Sequence, residues 1–582
     1  MKSRPEKHYL GIKTIMKDLL SLKNIRTALY VALFMVASAL FLKWQAVNAP
    51  APALTTAATN TATTTTSSNT GSATLPGNVN LPVTPAGSVN PAITANAAPT
   101  APNLITIDTP LLQVKVNPVG GNIVYAVLKD YRQTLGSNQP FLLLNQDPNS
   151  LYYIIESGLV TGDNSLPANM TFSSPSLSYN LGDQRQLTVN LNWSNQQGLS
   201  LTKSYTFFPG VYTVNVAYTI NNQGKTAWNG RFYGELTRNV PASESSMLNS
   251  YTNYTGAAIS SPSDHYQKIK FSDMLDNNLS QTVSSGWVAM LQHYFITAFV
   301  PAPNTMITQF SAVNQGLYSI GLANPTVTVN PGSTVTTGAG IYLGPAVTSQ
   351  LAVVAPYLSK TIDYGWLWFI SGPIFVVMQW IHSYVNNWGL AIILVTCLIK
   401  LIFFPLSAKS YLSMAKMREL QPKIKELREK VGDDRQKIGA ATMELYRKEK
   451  VNPLGGCLPI IVQIPVFIAL YWVLMESVEL RQAPFMFWIH DLSVRDPFYI
   501  LPVLMGLSMF VQQRLNPAPP DPMQAKIMMF LPLVFTVMFL NFPAGLVLYW
   551  LVNNCLSVFQ QWWVMSRYHK KMAKKRHHHT AG

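Results

Sequence analysis

The stretch LVTCLIKLIFFP, Leu394 to Pro405, sets one lysine, Lys400, in the middle of an apolar run. An ammonium inside a membrane is costly, and one that faces a helix bundle marks a pathway or a site for an opposite charge. A lysine near the end of a span has a second option, because its methylene stem can lie along apolar surface while the charge reaches the headgroups. Other polar residues bear on the choice. Gln463 lies in a later apolar run, and Gln512 and Gln513 close another. In the last run Asn553, Ser557, Gln560 and Gln561 recur at i, i+4, i+7 and i+8, on one helical face. Taken singly, such amides only bond a neighbouring helix, for ~0.6 kcal/mol. Together with Lys400 they describe a hydrated cavity, open inward, that offers water and a positive charge to an acidic chain. The residues for other chemistry are missing: there is no GxxxxGK[ST] loop, no Gly-rich dinucleotide fingerprint, no HExxH and no nucleophile beside a base. Cys397, Cys457 and Cys555 form no CxxC and have no histidine at metal spacing. No catalytic residue, cofactor or metal is expected, and the chain is not expected to be an enzyme.

Positioning these residues requires spans. The chain has 582 residues, 48% of them hydrophobic and only 12% charged, which suits a membrane protein with a substantial soluble part. Its 42 Lys and Arg against 26 acids give a net charge of +16. The basic clusters Lys2 to Arg26, Lys409 to Lys450 and Arg567 to Arg576 each adjoin an apolar run, as cytoplasmic ends of spans do. Anionic lipids are therefore expected as partners, and nucleic acid is not.

Ala28 to Leu42, with Trp44 after it, reads as an uncleaved anchor, and the Ala-, Thr- and Pro-rich segment that follows as a tether. From Leu111 to about Pro345 the texture is alternating: Tyr212, Val214, Val216, Tyr218 and Ile220 share one face after a Pro209-Gly210 turn, and TVTVNPGSTV repeats the pattern around Pro331-Gly332. An antiparallel β-sandwich is expected, folded without disulfides. Tyr364 to Gly389 and Leu390 to Leu406 are both long enough to span, yet both cannot cross without putting the basic segment after Pro405 outside. The first holds Pro373, Gln379, His382 and several tryptophans and is expected as a broken interfacial helix. Leu390 to Leu406 then crosses inward. Met417, Leu420, Ile424, Leu427 and Val431 lead to a Gly432-Asp433-Asp434 turn and a second arm, a cytoplasmic helical hairpin. Pro459 to Met475, Phe498 to Val511, Ile527 to Asn541 and Gly545 to Val564 complete six spans and return the basic tail to the cytoplasm.

From Asp363 to Met565 the chain resembles the YidC family of membrane protein insertases, in DYGWLWFISGP, MAKMRELQPKIKELREKVGDD, KVNPLGGCLPIIVQIPVF, SVELRQAPFMFWIHDLSVRDPFYILP, DPMQAKIMMFLP and FPAGLVLYW. The anchor, tether and β domain match the Gram-negative arrangement by layout rather than by motif. The resemblance implies five core spans around a hydrophilic groove open to cytoplasm and lipid, and a periplasmic β domain similar to sugar-binding sandwiches. It implies that Lys400 is the groove's positive charge, where family members often carry arginine; lysine supplies a point charge without the bidentate fork. Gln463 and Gln513 match polar groove positions, and Asn553 and Ser557 join them on the last span's polar face. Tyr549 and Trp550 match the region along which a substrate slides, with only an aromatic role carried over at Trp550. Met414 and Met417 offer the hairpin a soft client-binding surface, or simply pack its two arms together.

The expected fold is thus a polytopic α-helical membrane protein with six spans, five of them forming the core, a large periplasmic antiparallel β-sandwich and a cytoplasmic helical hairpin. The divisions are a basic N-terminus at 1–26, an anchor at 27–44, a tether at 45–103, the β domain at 104–346, a linker with the interfacial helix at 347–389, the core at 390–565 with the hairpin at 407–452, and a basic tail at 566–582. The expected function is insertion of nascent membrane proteins into the bacterial inner membrane, alone or with the Sec translocon, with both termini cytoplasmic and the tail a candidate ribosome contact. A secondary transporter would also use a midplane charge, but no internal repeat is visible among the spans. A purely structural anchor leaves the polar face of the last span without a purpose.

Overall fold

The structure is a computed structural model that describes residues 103–580 except 163–165, 168, 241–253, 433–434, 450, 453–457 and 517–521. The anchor and all but the last residue of the tether lie outside the described residues.

Strand alternation builds the β domain. In Leu199–Phe207 every second side chain is buried, and Thr213–Asn222 buries Val214, Val216, Tyr218 and Ile220 as its pattern requires. The strands form an 11-stranded and an 8-stranded sheet, and their inner faces meet in one apolar core. The turn at Pro331-Gly332 does not close a hairpin. Gly332, at φ +74°, takes the chain from one sheet to the other: Val327–Val329 pairs with Trp228–Arg238, whereas Ser333–Pro345 pairs with Thr213–Asn222.

Eleven described helices follow the chain order: α1 (Phe271–Asp276) and α2 (Thr348–Val354) in or beside the β domain, then α3 (Trp368–Val385), α4 (Trp388–Ile402), α5 (Phe404–Glu419), α6 (Gln421–Val431), α7 (Arg435–Lys448), α8 (Leu458–Glu476), α9 (Ile500–Leu515), α10 (Pro522–Phe539) and α11 (Ala544–Thr580). The expected break in α3 is not there. Pro373 lies in its second turn, and the helix runs on to Asn386, whose left-handed backbone caps it. Asn387 then accepts from the Leu390 amide at 2.9 Å and starts α4. One face of α3 buries Ser371, Phe375, Met378 and Ile381, with Ser371 bonded to the Ala469 carbonyl of α8, while Trp368, Phe369, Trp380 and Tyr384 stand exposed on the other.

α4 is shorter than Leu390 to Leu406 suggested. It stops at Ile402, and α5 leaves at 67° because Pro405 opens a new helix. The hairpin's first arm is also divided, ending at Leu420 and restarting with Pro422 in the first turn of α6. Leu420, Ile424, Tyr446 and Val451 form its small core. No single described helix is both long and apolar enough to cross a membrane; α4 and α5 pass that test only as a bent pair.

The two halves are joined at the C-terminal end of α8. Val478, in the short turn after it, belongs to the β-domain core. Arg481 donates to the carbonyls of Arg132 (2.8 Å) and Gln133 (3.1 Å), and its guanidinium lies 5.2 Å and 5.5 Å from the ring centres of Phe141 and Phe295. His293 Nε2 bonds the Met475 carbonyl at 3.1 Å, and Lys268 pairs with Asp363 at 2.6 Å. Burial, with the nearby Arg481 charge adding to it, holds His293 down at about 4, against the pull of that carbonyl.

Candidate polar groove

Lys400 stands in the last turn of α4, only 6% exposed. Its ammonium donates to Ser557 Oγ at 2.7 Å and to Gln463 Oε1 at 3.4 Å, so it points into the bundle. Ser557 passes its own proton to the Asn553 carbonyl at 2.7 Å. The Gln463 amide donates to Asn553 Oδ1. Gln560 donates back to the Lys400 carbonyl at 3.3 Å. Three helices therefore supply one network: α4 the charge, α8 an amide, and α11 the amide and hydroxyl. Each member has at least one partner, as a polar group out of water requires, while Gln560 Oε1 is buried without one.

The single polar face expected on the last span is divided. At ~100° per residue Ser557 and Gln560 stay within about 40° of Asn553, whereas Gln561 is about 80° away. Accordingly Gln561 turns to α9, where it donates to the Leu515 carbonyl (3.1 Å) and Asn516 Oδ1 (3.2 Å). Asn554 bonds Ser508 of α9 at 3.1 Å. Gln513 is half-buried at the inner end of α9 and makes none of the bonds around Lys400. The two aromatic residues also separate. Tyr549 is buried, while Trp550 lies half-buried in the seam between α8 and α10, 4.4 Å from the Phe467 ring and 5.1 Å from Phe539. In the hairpin Met414 is half-buried, and Met417 packs against the Leu420, Ile424, Tyr446 and Val451 cluster.

Tyr411 of α5 was not singled out by the sequence. It is buried on the face of α5 that packs against α11. A tyrosine four residues after Ser407 in a mixed-charge hairpin reads as surface; only the bend at Phe403 turns that face onto α11.

The β domain has an ionisable cluster of its own. Glu156 and Glu235 are directly opposed on neighbouring strands, near the fully buried Lys203, whose ammonium bonds the Ser157 carbonyl at 2.8 Å. Burial first, and the Glu156 charge second, push Glu235 up to about 7, and burial drives Lys203 well below its usual range. Among the described residues no group of three or more His, Cys, Asp or Glu could hold a metal. A cleft of about 790 Å³ between the 8-stranded sheet and α2 is floored by Gly338 and Gly340 and lined without any acid, lysine, arginine or histidine.

Residues 104–377 match the family described as YidC periplasmic domain, and residues 380–572 match that described as 60Kd inner membrane protein. A membrane protein insertase YidC from Pseudomonas putida is 47% identical over 559 residues, spanning 93% of this chain and 98% of the relative. One from Legionella pneumophila strain Corby is 46% identical over 559 residues, spanning 94% and 98%. A crystal structure of an active YidC insertase with its first transmembrane domain resolved overlaps 79% of this chain and 92% of its own, at 16% identity and a TM-score of 0.36.

Proposed function

Because this chain belongs to the YidC family of membrane protein insertases, we propose that the Lys400 network is the polar wall along which a client's tail enters the membrane. The chain is a membrane protein insertase of the inner membrane with a periplasmic β domain. That work is non-covalent: an apolar segment moves from water to lipid, which is favourable without nucleotide, while its polar tail must cross a medium that solvates it poorly. An acidic residue at the centre of a bilayer costs ~2.5–3.5 kcal/mol on insertion scales. A groove with water and a counter-charge removes part of that barrier.

In this reading α4, α8, α9, α10 and the first part of α11 cross the membrane, and the N-terminal anchor makes a sixth span. The 19 residues of α8 rise ~28 Å, near the ~30 Å of a hydrocarbon core. The 15 residues of α4 rise only ~22 Å, so its inner end sits below the headgroups and Lys400 with it. The exposed aromatic face of α3 suits the outer interface, and the basic hairpin and tail suit the cytoplasm, beside anionic lipid and the ribosome. Nascent membrane proteins are the clients, delivered directly or beside the Sec translocon. Half-buried Trp550, beside Phe467, belongs to the surface along which the apolar segment slides, with Tyr549 packed behind it.

The observation that carries this reading is the direction of Lys400. A snorkelling lysine extends toward headgroups, whereas this one is buried and bonded to Ser557 and Gln463. Two unit charges 4 Å apart attract by ~4 kcal/mol at an effective dielectric of 20, and partial hydration leaves about 1–2 kcal/mol. Insertion into vesicles of a two-span client with an acidic tail should fall about tenfold in Lys400→Ala, stay near normal in Lys400→Arg and fall furthest in Lys400→Glu. Clients with neutral tails should lose much less. Normal insertion of acidic tails by Lys400→Ala would retire the counter-charge role.

A further inference from the structure

The loop between α8 and α9 turns its carboxylates inward and its rings outward. Asp496 is buried: its Oδ1 accepts from the Trp488 indole and the Phe498 amide, both at 3.0 Å, and its Oδ2 accepts from the Leu501 amide at 2.7 Å. Asp491, also buried, accepts from the Ser493 amide at 2.8 Å and the Ser493 hydroxyl at 2.7 Å. With both acids occupied, the ionisable side chains left exposed on the loop are those of His490 and Arg495. Bonds from the Phe485 amide to the Ile489 carbonyl (2.9 Å) and from the Ile489 amide to the Met486 carbonyl (3.1 Å) close a tight turn. At its tip Phe487 stands 83% exposed, in the left-handed region at φ +53°. A bulky residue in that conformation is rare, and here the strain displays a ring instead of burying it. Phe498 is exposed at the far end of the loop, and the exposed face of α9 continues from it through Val503 and Leu507.

We propose that this loop is a lipid-binding foot: Phe487 and Phe498 enter the boundary between headgroups and acyl chains in the outer leaflet, and Arg495 meets the phosphates above it. This rests on the reading of α8 and α9 as spans, which puts the loop that joins them at the outer interface. Lipid is the partner because exposed rings beside a cation, with no exposed carboxylate, match a surface that is apolar just below a layer of phosphate. The apolar surface is also continuous with the exposed face of α9. The loop is bonded, moreover, to the junction of α3 and α4, where Asn387 donates to the Phe485 carbonyl at 3.1 Å, close to the exposed Trp380 and Tyr384 of α3 in the chain. That bond gives the foot a consequence for the groove. Asn387 caps α4, and the Phe485 ring lies so close to Gly389 that a Cβ there would clash with it. The foot therefore pins the first turn of α4 to the outer interface. The 15 residues of α4 rise ~22 Å against ~30 Å of hydrocarbon, so a pinned outer end leaves the shortfall on the inner side and sets how deep Lys400 lies.

The test uses the full chain in vesicles of phosphatidylethanolamine and phosphatidylglycerol. A photoreactive p-benzoyl-phenylalanine replaces Phe487, Leu507 or Met306 in turn, and the adducts formed on irradiation are identified by mass spectrometry. Position 487 should capture lipid, as Leu507 on α9 should, whereas Met306, exposed in the β domain, should capture none. For depth, a bimane is attached to Phe487→Cys in a chain whose Cys397, Cys457 and Cys555 are replaced by serine. It should be quenched more by a lipid nitroxide near the headgroup than by one near the chain end. The same label on Leu401→Cys, at an exposed position beside Lys400, reads the depth of α4. When Phe487→Ser and Phe498→Ser are added, the headgroup nitroxide should quench this label about twofold more, because the released helix slides inward. Both rings are exposed, so their loss leaves the fold intact. Lipid at Leu507 but protein, or nothing, at 487 overturns the foot. Lipid at 487 with unchanged quenching at 401 overturns the pinning of α4. No lipid at Leu507 defeats the reading of α9 as a span, and this inference with it.

Discussion

Arg481 holds the C-terminal end of α8 to the β domain, and removing it should loosen that joint measurably. Its Nη2 donates to two carbonyls, at 2.8 Å and 3.1 Å, and its plane lies over Phe141 and Phe295, whose rings stack at 3.9 Å. A hydrogen bond from a charged group is worth ~1.5–3 kcal/mol when buried. Arg481 is half-buried, so about 1–2 kcal/mol for the pair of bonds is the reasonable share. Cation–π contact at a partly open site adds roughly 0.5–1 kcal/mol. The expected loss in Arg481→Ala is about 1.5–3 kcal/mol, which at ~1.4 kcal/mol per decade is roughly a 10- to 140-fold rise in local opening. Hydrogen exchange on the full chain reads this directly, at the amides of Leu480, Arg481, Ala483 and Leu492, which bond within the loop that Arg481 anchors. Arg481→Lys should fall between the two, since it keeps the charge and loses the planar fork. Exchange in Arg481→Ala indistinguishable from the parent would show that Val478, His293 and Lys268 hold the joint without it.

Two further outcomes are expected. A Cβ at Gly389 would lie 2.0 Å from the Phe485 ring, so Gly389→Ala should lower thermal stability by about 1–3 kcal/mol, and Phe485→Leu in the same chain should recover part of it. The pH dependence of β-domain melting should have two opposed components. His293 is held at about 4, so its contribution is whole above its ordinary 6.5 and is lost as pH falls toward 4, by at most ~3 kcal/mol; His293→Gln should flatten that limb. Glu235 is raised to about 7, so its contribution is whole below 4.5 and is lost as pH rises through 7. Glu235→Gln should therefore raise the melting midpoint at pH 8 and leave it unchanged at pH 4, and an unaltered midpoint at pH 8 would contradict the assignment.

Local patterns in the sequence determined most of the architecture. Period-two alternation in Thr213–Asn222 placed the strand's buried face, and the apolar runs near α8 to α11 located those helices, although α11 runs on past Val564 to Thr580. Lys400 and the amides of the last span were visible as polar residues in apolar surroundings, which is a property of composition and spacing. Tertiary structure decided which of them meet. The i to i+8 spacing grouped Gln561 with Asn553 on one broad face, yet the packing of α9 against α11 draws Gln561 and Asn554 to Asn516 and Ser508, and leaves Asn553 and Ser557 to Lys400. The bend at Phe403 turned Tyr411 onto the side of α11 and shortened the helix that carries Lys400. The joint at Arg481 unites strands and a helical loop about 350 residues apart, whose contact no local pattern records. Periodicity states which face of an element avoids water; only the assembled bundle states which neighbour that face is given, because the choice depends on all the other helices competing for the same surface.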